Sequence, residues 1–275
     1  MPNPVLNERA LQRASATWAP PEAADGHFPP VDDGPTSGWS REVMTVNGVI
    51  SATATLFVLL LASAAVGWIM TGGPTEVTLP DGSPGYEYGF PSLAIAGVIV
   101  GFGLAILLRF KPHLAKFIAP IYAIVQGLVV GSFSRVYETY YDGVVVQAAG
   151  ATVGVFVVML VLYRTRVIDV TERFRKVVVT ATMGVMVFYG VSLLISVFGG
   201  SVSFLSSPSP LGIGFSVLVA GLAAFNLALD FDFIERGAQQ GLDKQFEWYA
   251  AFGLLVTVIW LYLELLRLLS KLRER

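Results

Sequence analysis

Seven apolar stretches follow one another along the chain, and they constrain its fold more than any other feature. Each has roughly the 20 residues that an α-helix needs to cross a bilayer. They lie near residues 45–70, 91–109, 115–134, 144–164, 176–198, 210–234 and 247–268. None shows the strict alternation of a barrel strand, so only helices can satisfy their backbone hydrogen bonds in lipid. The sequence therefore predicts an all-α integral membrane protein, with a seven-transmembrane-helix bundle over residues 41–275.

The composition agrees with this class and excludes several kinds of site. Hydrophobic residues make up 54% of the chain and charged residues only 14%. There is no cysteine and there are two histidines, which excludes thiolate nucleophiles and argues against a resident metal or cofactor. A net charge of −2 indicates no nucleic-acid partner. We therefore expect that the protein is not an enzyme. An aspartyl dyad of the intramembrane-protease type remains an alternative, although the usual glycine–aspartate context is missing from the sequence.

Residues 1–40 have a different composition from the rest of the chain. Proline and glycine interrupt any periodicity, at Pro20-Pro21, at Pro29-Pro30 and in the run 32–35. This pattern is typical of a disordered tail. The first apolar run begins after the tail, too late for a cleavable signal peptide, so we expect the first helix to direct its own insertion.

The distribution of lysine and arginine predicts the orientation of the bundle. Thirteen of the 18 basic residues fall on the side of the N-terminus, in the tail and in alternate connections. The other five are Arg135 and four residues of the C-terminal tail. We therefore predict a multi-pass protein of the plasma (inner) membrane with a cytoplasmic N-terminus. Seven spans then place a basic C-terminus outside, unless the final helix pair is re-entrant or broken.

Glycines recur at a spacing of four residues in three of the predicted helices. This spacing lets two helix backbones approach closely inside a bundle. The pairs are Gly97 and Gly101, Gly127 and Gly131, and Gly150 and Gly154.

Acidic residues enter the last two apolar runs, where a charge is costly and indicates function. Asn226 and Asp230 are four residues apart and share a helix face. Asp232 points about 160° away, at about 100° per residue. Glu264 is the only acid in the interior of the final run. Asp232, together with Glu235 and Arg267, is expected to be an interfacial charge at a helix end.

Two carboxyl groups on facing helices would form a pH switch without histidine. At close range they share a proton, and the pair titrates nearer neutrality than a lone carboxyl. Once deprotonated, they repel each other and offer the hard oxygen ligands that Ca²⁺ prefers. A neighbouring cation, such as Arg109, could then hold one of the acids in the open state.

Three segments resemble the Bax inhibitor-1 (TMBIM, or YccA-like) family of seven-helix membrane proteins. They are Leu229-Asp-Phe-Asp-Phe-Ile234, Leu261-Tyr-Leu-Glu-Leu-Leu-Arg-Leu-Leu269, and Arg109 followed by Ala119-Pro-Ile-Tyr122 and Gln126-Gly127. The resemblance implies a bundle with a central C-terminal helix and a pH-regulated calcium leak channel. It also implies that Asp230 and Glu264 form the proton-sharing sensor and the calcium ligands, and that Arg109 latches Asp230.

Simple hairpin geometry suggests another partner for Asp230. If the last turn lies near Gly237–Gly241, the residue level with Asp230 is close to Glu247, whereas the motif indicates Glu264. A long excursion over residues 241–248 would reconcile the two. Asp232, Glu247 and Asn226 are therefore secondary candidates.

Two further functions remain open at this point. The alternative to a channel is a non-conducting regulator with a membrane protease or a stress pathway as partner. A proton-coupled transporter is a weaker candidate than either of these, because the sequence shows no pair of discontinuous helices. The expected partners are membrane lipid, calcium ions and protons.

Overall fold

The computed structural model describes residues 42–73, 75–78, 84–87, 92–198 and 207–274. The predicted disordered tail, residues 1–40, lies outside the described residues. The described part contains seven α-helices: α1 Val46–Met70, α2 Ser92–Phe110, α3 Ala115–Tyr140, α4 Val144–Arg164, α5 Glu172–Val197, α6 Pro210–Gln239 and α7 Phe246–Arg273. A 3₁₀ turn, Pro112–Leu114, joins α2 to α3, and the strands β1 Thr75–Thr78 and β2 Pro84–Glu87 form an antiparallel hairpin between α1 and α2.

These helices confirm the prediction of an all-α bundle with seven helices. Six of them are long and apolar enough to cross a membrane, and the described apolar part of α2, Ala96–Phe110, is shorter. Several ends extend past the apolar runs, since α3 reaches Tyr140 and α7 reaches Arg273. Hydropathy identifies the part of a helix that suits lipid, whereas polar residues at a helix end continue the same backbone hydrogen bonds.

Capping residues explain where the helices begin. The side chains of Thr45, Thr171 and Ser209 each accept a hydrogen bond from a backbone N–H in the first turn of α1, α5 and α6. Pro210 follows Ser209 at the first helical position, where its missing N–H costs nothing. Gly143, which precedes α4, has a φ of 74°, a conformation that a side chain would strain.

The C-terminal helix α7 is central in the bundle, as the sequence resemblance implied. It packs against α1, α3, α4 and α6. About half of its apolar segment is buried, against 17% for that of α5, which therefore lies at the periphery. Acids on α7 consequently face protein rather than lipid.

The start of α1 and the end of α7 lie at opposite ends of the bundle. Met44 N–H donates to Leu242 O over 2.7 Å, so the chain before α1 pairs with the turn between α6 and α7. At the other end, Arg273 donates to the carbonyl oxygen of Asp142, between α3 and α4. Because α6 and α7 are both continuous, the described helices show neither a re-entrant nor a broken final pair.

Candidate functional site

Three groups of polar side chains lie at successive levels between α5, α6 and α7. Helix α6 supplies Asn226, Asp230 and Asp232, while α7 supplies Thr257 and Glu264. Each group is assembled from residues far apart in the sequence.

The first group lies near the end of α6 and is centred on Asp232, which is only 5% exposed. Its Oδ2 accepts from Arg175 Nη2 over 2.7 Å, and its Oδ1 accepts from Arg236 Nε over 2.9 Å. Arg236 also donates to Val170 O, which ties α6 to the connection between α4 and α5. The expectation that Asp232 reaches water at a helix end is therefore wrong, because α5 closes over it.

Glu235 forms a neighbouring cluster at the same end of the bundle. It accepts hydrogen bonds from Arg166, Tyr163 and Gln239. Together with the Asp232 group, it links α4, α5 and α6 by ionic contacts.

Asp230 occupies the second level and differs from every other acid of the described helices. Its Oδ2 is buried and has no hydrogen-bond partner among the described residues. Thr257 of α7 lies near this carboxyl group, but its hydroxyl donates to Gly253 O over 3.2 Å. Burying a carboxylate without full pairing is costly, and protonation removes that cost. Asp230 is therefore chemically suited to binding a proton or a cation.

Asn226 lies one turn before Asp230 but contacts a different helix. Its Nδ2 donates to Thr182 Oγ1 of α5 over 2.8 Å and to Leu222 O over 2.9 Å. Asn226 and Asp230 thus contact different helices from the face that they were predicted to share: Asn226 contacts α5, and Asp230 faces α7.

Glu264 forms the third level and is 2% exposed. Its Oε1 accepts from Tyr189 Oη over 2.8 Å and from Arg267 Nη1 over 2.9 Å. Arg267 also donates to Tyr189 Oη over 2.8 Å, so the three side chains form a closed triangle between α5 and α7. Arg267 thus pairs with the buried Glu264, while its own side chain stays 34% exposed near the end of α7.

A sequence model described as "Bax inhibitor 1 like" matches residues 3–274, essentially the whole chain. The chain belongs to the Bax inhibitor 1 like family. The search of curated proteins found no match. The family is one of membrane channels and regulators, and it is not known for enzymes.

In this Bax inhibitor 1 like protein, Asp230 and Glu264 do not face each other. An ideal Cβ at Gly253 would lie 3.7 Å from Asp230 Oδ1, so Gly253 marks the level of Asp230 on α7. Glu264 is eleven residues further on, about 16 Å along the helix axis. The paired arrangement expected from the sequence is therefore corrected: the two acids occupy separate levels in this structure.

Glu247 is not level with Asp230 either. It accepts hydrogen bonds from both Thr45 N and Thr45 Oγ1 over 2.9 Å, at the start of α1. The helix α6 continues to Gln239, so the turn lies later than the simple geometry assumed. The turn is also short, without the long excursion over residues 241–248.

Arg109 is placed away from the acids. It lies exposed in the last turn of α2 and makes no ion pair with Asp230. Within the described ranges, no three or more acidic or histidine side chains form a group able to hold a metal ion. The expected calcium ligands Asp230 and Glu264 are thus not side by side.

Sequence reasoning missed the residues that hold the acids. Tyr189 is one aromatic residue in an apolar helix, and Thr182 is equally inconspicuous. Arg175 is one of the basic residues whose distribution predicts the orientation of the bundle, and the sequence gives no sign that it pairs with Asp232. The spacing of Glu264, Arg267 and Lys271 does place all three on one face of α7, and this signal was available.

Proposed function

We propose that this protein is a pH-regulated Ca²⁺ leak channel of the plasma membrane, with the start of α1 on the cytoplasmic side. The observation that carries the proposal is the unpartnered buried Oδ2 of Asp230, in a bundle of the Bax inhibitor 1 like family. The distribution of lysine and arginine supports the orientation.

Protons and Ca²⁺ compete for Asp230 in this proposal. A protonated carboxyl is neutral and is tolerated between α6 and α7, which keeps the helices together. An ionised carboxyl is unfavourable there unless a cation or water reaches it, and its oxygens suit Ca²⁺. The leak should therefore increase as the pH rises through the titration of Asp230.

The route runs between α5, α6 and α7, past the three polar levels. In this proposal the ionic groups at Asp232 and Glu264 close the route at either end. Arg267 therefore holds Glu264 in the closed state, whereas the sequence resemblance gave Arg109 the part of holding Asp230 in the open state. Arg109 could act on Asp230 only after a rearrangement that brings α2 towards α6.

Ca²⁺ flux into proteoliposomes across the acid-to-neutral range tests this function. The wild-type protein should show a leak that grows with pH. The variant Asp230→Asn removes the titrating group and should abolish the pH dependence. The matched control is Asp169→Asn, which changes an exposed acid in the connection between α4 and α5 and should behave as wild type.

Two further variants separate the role of Glu264 from that of Arg109. Glu264→Gln should weaken the triangle with Arg267 and raise the leak at low pH. Arg109→Gln should leave the leak unchanged at low pH, and lower it at high pH only if Arg109 stabilises the open state.

A leak whose pH dependence survives in Asp230→Asn would reject the proposed sensor, and a leak that Glu264→Gln leaves unchanged at low pH would reject the role of the triangle. No leak in the wild-type protein, together with co-purification of a membrane protease, would favour the alternative of a non-conducting regulator.

A further inference from the structure

Lys271 is a buried cation near the end of α7 with only neutral hydrogen-bond partners. It is 2% exposed. Its Nζ donates to Ser216 Oγ over 2.9 Å and to Gly212 O over 3.1 Å, both in the early turns of α6. Across the described ranges, no carboxylate lies within ion-pair distance of Lys271. Buried lysines are ordinarily paired with an anion, and Lys271 lacks such a partner among the described residues.

The carboxylates nearest to this lysine are already engaged. Glu264 is bound by Arg267 and Tyr189, as described above. Glu274 is exposed at the end of the helix and accepts a hydrogen bond from Tyr141. A charge in water is screened far more than a buried one, so Glu274 compensates Lys271 poorly.

An open crevice of about 760 Å³ lies beside Lys271, between the ends of α3, α5 and α7. Its lining combines Arg267 and Lys271 with the side chains of Tyr137 and Tyr189. Guanidinium and ammonium groups are donors that suit phosphate oxygens. The Tyr189 hydroxyl already donates to Glu264.

The other walls of the crevice are mostly apolar and face outwards, but the lining also contains Ser192, Ser270 and the exposed carboxylate of Glu274. Phe133 and Val136 of α3 and Leu193 of α5 line it, and Leu193 is 66% exposed on the outer surface of the bundle. A ligand with a phosphate at one end and hydrocarbon at the other matches this surface better than a free anion. Tyrosines at a helix end are also typical of the level of lipid headgroups.

We propose that this crevice binds an anionic phospholipid. The phosphate lies against Lys271 and Arg267, and the acyl chains follow the apolar walls towards the outer face of α5. Basic pockets between transmembrane helices bind lipid headgroups in this way. The site lies at the opposite end of the bundle from the Asp232 group. It shares Arg267 and Tyr189 with the Glu264 triangle, but its test measures lipid binding and not ion flux.

Native mass spectrometry of the purified full-length protein tests the proposal. The protein in detergent is titrated with phosphatidylglycerol, with phosphatidylcholine of the same acyl chains, and with inorganic phosphate. The wild-type protein should retain phosphatidylglycerol in preference to phosphatidylcholine. Lys271→Gln should weaken that binding roughly tenfold, the loss expected for one charge-assisted hydrogen bond, and Lys271→Arg should restore part of it.

Lys116→Gln is the matched control, because Lys116 is exposed at the start of α3 and does not line the crevice. Its lipid binding should equal that of the wild type. Equal retention of both lipids by the wild-type protein would overturn the proposal, even if Lys271→Gln failed to fold. Equal binding of phosphatidylglycerol by wild type and Lys271→Gln would also overturn it. Competition by inorganic phosphate at the same concentration as the lipid would identify a free-anion site instead.

Discussion

The contact between α1 and α3 allows a stability prediction with an internal control. An ideal Cβ at Gly131 would lie 1.9 Å from Ala64 O and 2.7 Å from Ala64 C, both of them backbone atoms of α1. No side-chain rotation can relieve such a contact. Gly131→Ala therefore requires the two helices to separate.

The size of the effect follows from these distances. Restoring ordinary van der Waals contact, at about 3.5 Å, needs a displacement of about 1.5 Å. Overpacking of this kind costs about 1–3 kcal/mol. An added Cβ at Gly154 meets no described atom within 4 Å. Gly154→Ala should therefore stabilise α4 by about 0.5–1 kcal/mol, through the lower backbone entropy of the unfolded state.

Thermal unfolding in one detergent, followed by circular dichroism, measures both variants under the same conditions. The midpoint should fall for Gly131→Ala and stay unchanged or rise for Gly154→Ala. The two free energies of unfolding should differ by about 1.5–4 kcal/mol. If Gly131→Ala were as stable as Gly154→Ala, the close approach of α1 and α3 would be refuted.

Two further predictions concern buried acids that hold helix ends. Glu247→Ala removes the acceptor of Thr45 N–H and should cost about 1–3 kcal/mol; hydrogen exchange should quicken in the first turn of α1, and unchanged protection there would contradict this role. Asp232→Asn deprives Arg175 and Arg236 of their shared carboxylate and should lower the free energy of unfolding by about 1–3 kcal/mol, measured by denaturant titration, whereas wild-type stability would show that the cluster contributes nothing.

The pattern of glycines shows where sequence reasoning succeeds and where it stops. The spacing of Gly127 and Gly131 predicted a close helix contact, and α1 provides it. The same spacing at Gly150 and Gly154 meets open space among the described residues. A four-residue spacing of glycines indicates that a helix has a smooth face. Only the arrangement of the helices decides whether another backbone lies against that face.

The sequence by itself determined the seven helices and the position of Glu264 inside the last apolar run. Lipid offers no hydrogen bonds to the backbone, so an apolar run of sufficient length must be helical, and local hydropathy is enough to find it. The sequence also showed that Asp230 lies in an apolar run, where a carboxyl group is unusual.

Only the tertiary structure decided the partners of these acids. The residue of α7 that faces Asp230 depends on where α6 ends. Placing the turn a few residues too early changes the predicted facing residue from Gly253 to Glu247. The partner Tyr189 is 75 residues from Glu264 in the chain. Such contacts arise from the packing of whole helices, which no local sequence pattern encodes.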